Sequence, residues 1–163
     1  MDASLAELFT LSYGTMAVQL VVALVLGMIL GVERSLAHKT AGLRTYGLVS
    51  MGSALFVIAA GVTSVGIAGE TSLDMMRVVS GIITGVGFIG AGMIIFRDQK
   101  GTVTGLTTAA GLWVAAGIGI AVGFQLYVLA ILVTVLTLLV FTLFWYVEHD
   151  IQKMIPNKNG ELE

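Results

Sequence analysis

Four long tracts without a charged side chain constrain this chain more than any other feature. They cover residues 8–32, 45–69, 78–96 and 101–147, which is 116 of 163 positions. About 20 apolar residues cross the hydrocarbon core of a bilayer as a helix. Charged residues make up 11% of the chain, against roughly 25% in a soluble domain. The tracts therefore predict an integral membrane protein.

The tracts predict an all-α, polytopic bundle of five transmembrane helices. The last tract is too long for one crossing, and the sequence Gly-Phe-Gln at 123–125 favours a tight turn within it. No Lys or Arg precedes Arg34, so we expect the first helix to be retained rather than cleaved as a signal peptide. The predicted transmembrane domain covers residues 1–147 and a short tail covers 148–163; the predicted helices are 15–32, 46–66, 78–96, 106–122 and 126–147.

The basic residues predict how the bundle is oriented. One side would hold seven of the eight Lys and Arg residues, and the other side only Arg77. Basic residues concentrate in short loops on the cytoplasmic side of the membrane, so we expect the N-terminus outside and the C-terminus in the cytoplasm. Tyr46, at a predicted helix end, is expected among the aromatic residues of the membrane interface.

Composition and motif searches exclude several classes of function. The net charge of −2, without a basic run, gives no surface for nucleic acid. The absence of cysteine removes disulfides and thiolate metal sites. His38 and His149 lack metal-ligand spacing, and no catalytic triad, paired catalytic carboxylates or P-loop is found. We therefore expect a non-enzymatic protein without a resident cofactor.

Two short motifs recur along the chain. Gly-Met-Ile occupies both 27–29 and 92–94, and Gly-Leu-Arg-Thr at 42–45 resembles Gly-Leu-Thr-Thr at 105–108. They are compatible with two hairpins of the same membrane direction, related by an axis along the membrane normal, as in small transporters. The alternative is coincidence in a chain rich in Gly, Leu and Thr.

Small residues dominate the third predicted helix. Membrane helices associate by close packing of small residues, so we expect this helix at the centre, with its bulky stripe turned away from its neighbours. The pattern G-x-G-x-x-G at 85–90 lies in an uncharged tract, which favours helix packing over nucleotide binding. A local unwinding that offers carbonyls to an ion is the alternative. The candidate packing residues are Gly81, Gly85, Gly87, Gly90, Gly92 and Gly105.

Charged residues at the helix ends are the main candidates for a site. The carboxylate of Glu33 opposes the dipole of the helix that it ends, so we expect a basic partner: Arg34, Arg44 or Arg97. Asp74 is spaced for a local pair with Arg77. These charges either clamp the loops or contact an ion, and Glu33 and Asp74 are weak candidate ligands for Mg²⁺.

The chain resembles the MgtC/SapB family of bacterial inner-membrane proteins. The resemblance rests on GVER at 31–34, AGLRT at 41–45, RVVSG at 77–81, GFIGAG at 87–92 and GLTTAA at 105–110. It covers the membrane domain only, without the soluble C-terminal domain of some members. Thr40 and Tyr46 stand where related sequences often have Pro and His. With the charged positions above, the functional candidates are Glu33, Arg34, Arg44, Asp74, Arg77, Arg97, Asp98, Thr107, Thr108 and Trp113.

The resemblance implies a protein for adaptation to low magnesium and, in pathogens, for survival inside phagocytes. It also implies modulation of other membrane machinery, such as the proton-driven ATP synthase. We expect a regulator that acts through helix–helix contacts as a homo-oligomer, most simply a dimer. The alternative is a transporter or channel for a small cation such as Mg²⁺, although no charged side chain lies within the four tracts to form a relay.

Overall fold

The structure is a computed structural model that describes residues 3–65, 71–97 and 102–154, with side chains over 13–62, 75–94 and 103–143. The predicted bundle of five helices is confirmed, because the described residues form five. They are α1 (Ala3–Leu36), α2 (Leu43–Val65), α3 (Thr71–Met93), α4 (Leu106–Gly123) and α5 (Tyr127–Met154).

Four of the helices are long and apolar enough to cross a membrane, with spans at Tyr13–Leu36, Leu43–Val62, Met75–Met93 and Leu106–Gly123. In α5, the apolar segment Tyr127–Leu143 lies within the described side chains. At 1.5 Å per residue this segment is about 26 Å long, close to the ~30 Å of a hydrocarbon core. The helices alternate in direction, which gives the bundle two ends.

We name these ends by the residue that marks each. At the Arg34 end, α1 finishes beside the start of α2, because a methyl group placed on Gly31 would lie 2.8 Å from the backbone nitrogen of Leu43. At the Gln19 end, the side chain of Gln19 bonds the last carbonyls of α4. By the distribution of basic residues, the Arg34 end is predicted to face the cytoplasm.

The centre of the bundle is α4, which contacts each of the other four helices. Half of its eighteen residues are buried. The prediction that the third helix is central is therefore wrong. Both helices are rich in small residues, which permit close approach but do not specify which helix becomes enclosed.

The orientation of α3 is the reverse of the predicted one. Its bulky residues Ile82 and Val86 are buried against Val57 and Ala116, whereas most of its small residues are exposed. A buried bulky stripe fills space against α2 and α4, and the Gly-rich face is left on the outside of the chain.

Two short antiparallel strands lie between α3 and α4, where a loop was predicted. The third helix ends at Met93, three residues before its predicted end, and Ile95–Arg97 (β1) pairs antiparallel with Thr102–Thr104 (β2). β-Branched Ile, Val and Thr favour extended backbone, which explains a short strand pair in a chain that is otherwise all-α, as predicted. Gly105 then turns the chain into α4 with a φ of 93°, a conformation that favours glycine.

The two copies of the repeated motifs lie in partly matching places. Both α2 and α4 begin at the leucine of the Gly-Leu motif, Leu43 and Leu106. The Gly-Met-Ile motifs differ, since Gly27 packs tightly on α2 and Gly92 has no neighbour within 4 Å for an added methyl group in the described part of the chain. Internal duplication stays a prediction.

Candidate functional sites at the two ends of the bundle

A buried ion pair ends α1. The side chain of Arg34 is 4% exposed and that of Glu33 is 17% exposed. Arg34 Nη2 donates to Glu33 Oε1 over 2.9 Å, and Nε donates to Oε2. This two-point geometry is the strongest form of an Arg–carboxylate contact. Of the three arginines proposed as partners of Glu33, the structure places Arg34 there.

The same arginine stacks on an aromatic ring of the last helix. The guanidinium carbon of Arg34 lies 3.8 Å from the ring centroid of Phe141 in α5. A cation over a ring face is attracted by the ring's electron density, most strongly where water is excluded. The carboxylate and the ring together compensate a charge that would be costly to bury alone.

A buried tyrosine extends this cluster into the core. Tyr46 is fully buried inside the bundle, so it does not face lipid as a residue of an aromatic belt does; its depth in the membrane stays a prediction. Its hydroxyl donates to the backbone oxygen of Thr108 over 3.2 Å, which joins α2 to α4. A methyl group on Gly111 would meet this hydroxyl and would lie 2.7 Å from the ring of Phe141. A glycine is needed there because two aromatic side chains converge on it.

Several tight contacts between helices involve glycines outside the predicted packing set. A methyl group on Gly27 would lie 2.7 Å from Ser50 Cβ, and one on Gly123 would lie 2.7 Å from Val57 Cβ. A methyl group on Gly119 would strike the backbone oxygen of Ser50. These contacts allow α1, α2 and α4 to pack almost backbone to backbone.

The predicted packing glycines fall into two groups. Gly90 approaches Ala109 across α3 and α4, with 3.6 Å between an added methyl group and Ala109 Cβ, and a methyl group on Gly105 would strike the backbone oxygen of Met93. For the other four, an added methyl group would meet nothing within 4 Å in the described part of the chain. They are Gly81, Gly85, Gly87 and Gly92.

Two of these glycines line an apolar groove between α2 and α3. The groove has a volume of about 570 Å³ and lies within the membrane spans. We call it the α2–α3 groove, and its lining includes Leu48, Gly52, Phe56, Gly81, Gly85 and Ile89.

A second, more polar cavity lies at the Gln19 end. Its volume is about 370 Å³, and residues of α1, α2, α3 and the α4–α5 turn line it. Gln19 is 3% exposed, and its Nε2 donates to the backbone oxygens of Val122 (3.1 Å) and Gly123 (3.0 Å). These carbonyls belong to the last turn of α4, and that of Val122 also accepts the backbone N–H of Gln125 over 2.8 Å. We call this space the Gln19 cavity.

The remaining predicted site residues are dispersed or lie outside the described side chains. Arg44, Arg77, Thr107 and Trp113 are exposed, and only Thr108 joins the buried cluster at the Arg34 end. The side chains of Asp74 and Arg97, and all of Asp98, lie outside the described residues. Across the side chains that the structure describes, no three His, Asp or Glu residues come close enough to hold a metal ion.

Gln19 is the functional candidate that the sequence analysis missed. The signal was present, because Gln19 and Gln125 are the only carboxamide side chains within the four uncharged tracts. Counting charged residues alone passes over neutral polar groups, although these are also costly in a membrane interior.

The fold and the comparisons define a multi-pass protein of the bacterial inner membrane. The sequence model of the MgtC family matches residues 20–149, and the chain belongs to this family. No solved structure matches it.

Its relatives differ in how much of their length it covers. The chain is 42% identical over 157 residues to the Escherichia coli K12 protein named "Putative magnesium transporter YhiD", covering 91% of this chain and 69% of the relative. It is 39% identical to SrpB of Synechococcus elongatus, over 56% of this chain and 54% of the relative. MgtC of Brucella abortus is 44% identical over 54% of this chain and 34% of the relative. The match to MgtC thus spans about a third of that protein.

Proposed function

We propose that the chain is a non-enzymatic regulator linked to magnesium homeostasis, and that it acts through helix contacts with a second copy. The observation that supports this is the outward Gly-rich face of α3. Gly81, Gly85 and Gly87 leave room there for another helix within the described part of the chain. Small residues are what membrane helices use to approach each other. The link to magnesium rests on the name of the relative YhiD and on the family resemblance.

A symmetric dimer would bury the surfaces that flank the Gly-rich face of α3. The α2–α3 groove offers a concave site of about 570 Å³, and Phe88 of α3 is 83% exposed and can project from the same helix. In an isologous dimer both copies contribute the same patch. A projection on one copy then fits a hollow on the other at two symmetry-related places. The family resemblance also suggests another membrane protein, such as the ATP synthase, as a partner for this face.

Oligomeric state provides the direct test. We expect wild-type protein to be a dimer in mild detergent and the double variant Gly81→Leu/Gly85→Leu to be a monomer by light scattering or native mass spectrometry. The double variant should fold, because an added methyl group at either position meets nothing within 4 Å in the described chain. Gly117→Leu on α4 is the matched control, since Gly117 is equally open. A monomeric wild type, or a dimeric double variant, contradicts the proposal.

The proposal also requires that dimerisation is necessary for function in the cell. In a strain that lacks the gene and grows poorly at low magnesium, we expect wild-type protein and Gly117→Leu to restore growth. We expect Gly81→Leu/Gly85→Leu to fail although it reaches the membrane in equal amount. Full restoration of growth by the double variant would show that the Gly-rich face of α3 is not needed for function.

A magnesium transporter is the second candidate function. The Gln19 cavity favours it, because polar groups inside a membrane domain often mark a path for a substrate. Reconstituted protein should then carry Mg²⁺ into liposomes, and Glu33→Ala or Asp74→Ala should lose the flux. Flux with that pattern would make transport the primary function. Its absence from active, dimeric protein supports regulation.

A further inference from the structure

We infer that the α2–α3 groove holds one acyl chain of an anionic phospholipid and that Arg44 binds the phosphate of this lipid. The inference goes beyond the proposed function, because a lipid can occupy the groove of a monomer or of a dimer. It rests on the apolar lining of the groove, on its dimensions and on a cation at its end that has no counter-charge in the described part of the chain.

The lining of the groove suits a hydrocarbon chain and not a polar ligand. None of its eleven described lining residues is charged. The hydroxyl of Ser53 already donates to the backbone oxygen of Val49 over 2.8 Å. Leu48 and Phe56 are 60% and 59% exposed, so the groove opens to the surroundings of the bundle. Inside a bilayer those surroundings are lipid tails, and a groove without a chain would lose dispersion contacts along its whole lining.

The dimensions of the groove agree with a single acyl chain. From Val78 to Ile89 it runs about 16 Å along α3, which is half of a ~30 Å hydrocarbon core, the depth of one leaflet. Gly52 and Gly81 keep it wide, because an added methyl group on either would meet nothing within 4 Å in the described chain. A phenyl ring takes roughly 150 Å³, so a groove of about 570 Å³ has room for a chain beside a side chain such as Phe88.

A cation lies one helical turn beyond the groove at the Arg34 end. Arg44 is exposed and precedes Leu48 by four residues, so both side chains lie on one face of α2. It belongs to the first turn of α2, where the peptide dipoles give a partial positive charge. The carboxylate of Glu33 is paired with Arg34, and Arg44 forms no ion pair among the described residues. Basic residues between membrane helices bind the anionic headgroups of lipids, so a lipid phosphate is the anion that fits this position.

The opposite end of the groove differs in its charges. Arg77 is also exposed and precedes Gly81 of the groove by four residues on α3. Asp74 lies three residues before Arg77, a spacing at which helical side chains interact. A carboxylate at this spacing disfavours a phosphate. We therefore place the headgroup at Arg44 and use Arg77 as the matched control.

Two variants separate the headgroup from the chain. Arg44→Gln removes the charge and leaves the groove unchanged. Gly52→Leu fills the groove and keeps the charge, and it should fold because its position is open in the described chain. The control variants are Arg77→Gln and Gly117→Leu, the second at an open glycine of α4 that is not part of the groove lining.

The experiment is native mass spectrometry of the full chain in mild detergent. The protein is titrated with dioleoylphosphatidylglycerol, which is anionic, and separately with dioleoylphosphatidylcholine, which is zwitterionic. We expect the wild type to bind the anionic lipid about fivefold more tightly, and Arg44→Gln to bind both lipids alike. Gly52→Leu should weaken the binding of both lipids at least about fivefold, because its side chain takes the place of the acyl chain. Both control variants should bind like the wild type.

Four results would overturn the inference. They are a wild type without preference for the anionic lipid, a Gly52→Leu variant that binds both lipids as well as the wild type, and an Arg77→Gln variant that loses the preference as Arg44→Gln does. The fourth is lipid bound to the monomer alone where monomer and dimer are both present, since a second copy would then fill the groove.

The same spectra report the mass of the protein assembly. Lipid bound with the expected preference to a wild type that is only monomeric would contradict the proposed function and support this inference. A dimeric wild type without preference for the anionic lipid would do the reverse, so the two proposals fail in distinguishable ways.

Discussion

At the scale of single residues, Arg34 brings a positive charge into the bundle, and Glu33 supplies its counter-charge. The side chain of Arg34 is 4% exposed, and Glu33→Ala would remove its counter-charge. Breaking a buried pair in this way is costly, so we expect a loss of roughly 3 kcal/mol in the free energy of unfolding. Unfolding in mixed detergent micelles would measure it.

Two further variants make this result specific. Arg44 lies exposed at the same end of the bundle, so Arg44→Ala should change stability by no more than about 0.5 kcal/mol. The double variant Glu33→Gln/Arg34→Met should recover part of the loss, because an apolar replacement needs no counter-charge. Equal stability of Glu33→Ala and Arg44→Ala would show that the pair contributes little.

The sequence narrowed the partner of Glu33 to three arginines but could not choose among them. Arg34 is its immediate neighbour, and adjacent residues of a helix do not face each other. The long, flexible side chain of Arg34 makes the two-point contact, and the ring of Phe141 lies over its guanidinium. Contacts set by a distant helix are therefore not readable from local spacing.

At the scale of helices, α4 depends on close contact with α2. Gly119→Ala would place a methyl group against the backbone of Ser50, which cannot move without shifting the helix. We expect a loss of about 1–3 kcal/mol in the free energy of unfolding, the usual cost of overpacking. Gly117→Ala, two residues away and open, should keep or slightly raise stability because Ala favours the helix. Equal effects of the two variants would argue against the α2–α4 contact.

The positions of the helices could be predicted better than their packing. Charge-free tracts predicted five helices because burial of charge in a bilayer is costly wherever it occurs. The choice between α3 and α4 as the central helix depends on which glycine faces meet other backbones. Gly119 meets Ser50, whereas Gly81 meets nothing in the described chain, and composition treats the two residues alike.

At the scale of the whole molecule, the orientation in the membrane is a prediction that the chain makes easy to test. It has no cysteine, so single cysteines can be introduced without a background. Lys39 lies exposed in the α1–α2 connection and Leu126 lies exposed in the α4–α5 turn. An impermeant maleimide on spheroplasts should label Leu126→Cys and leave Lys39→Cys unlabelled until the membrane is opened. The opposite pattern would reverse the topology.

The contact between Arg34 and Phe141 joins the first helix to the last and has a consequence for biosynthesis. While the chain leaves the ribosome, α1 enters the bilayer long before α5 has been made. During that interval the guanidinium has no ring above it, but its counter-charge is the residue just before it in the chain. The arginine thus has its counter-charge from the moment of its insertion. When the final helix docks, it packs on a guanidinium that is already paired.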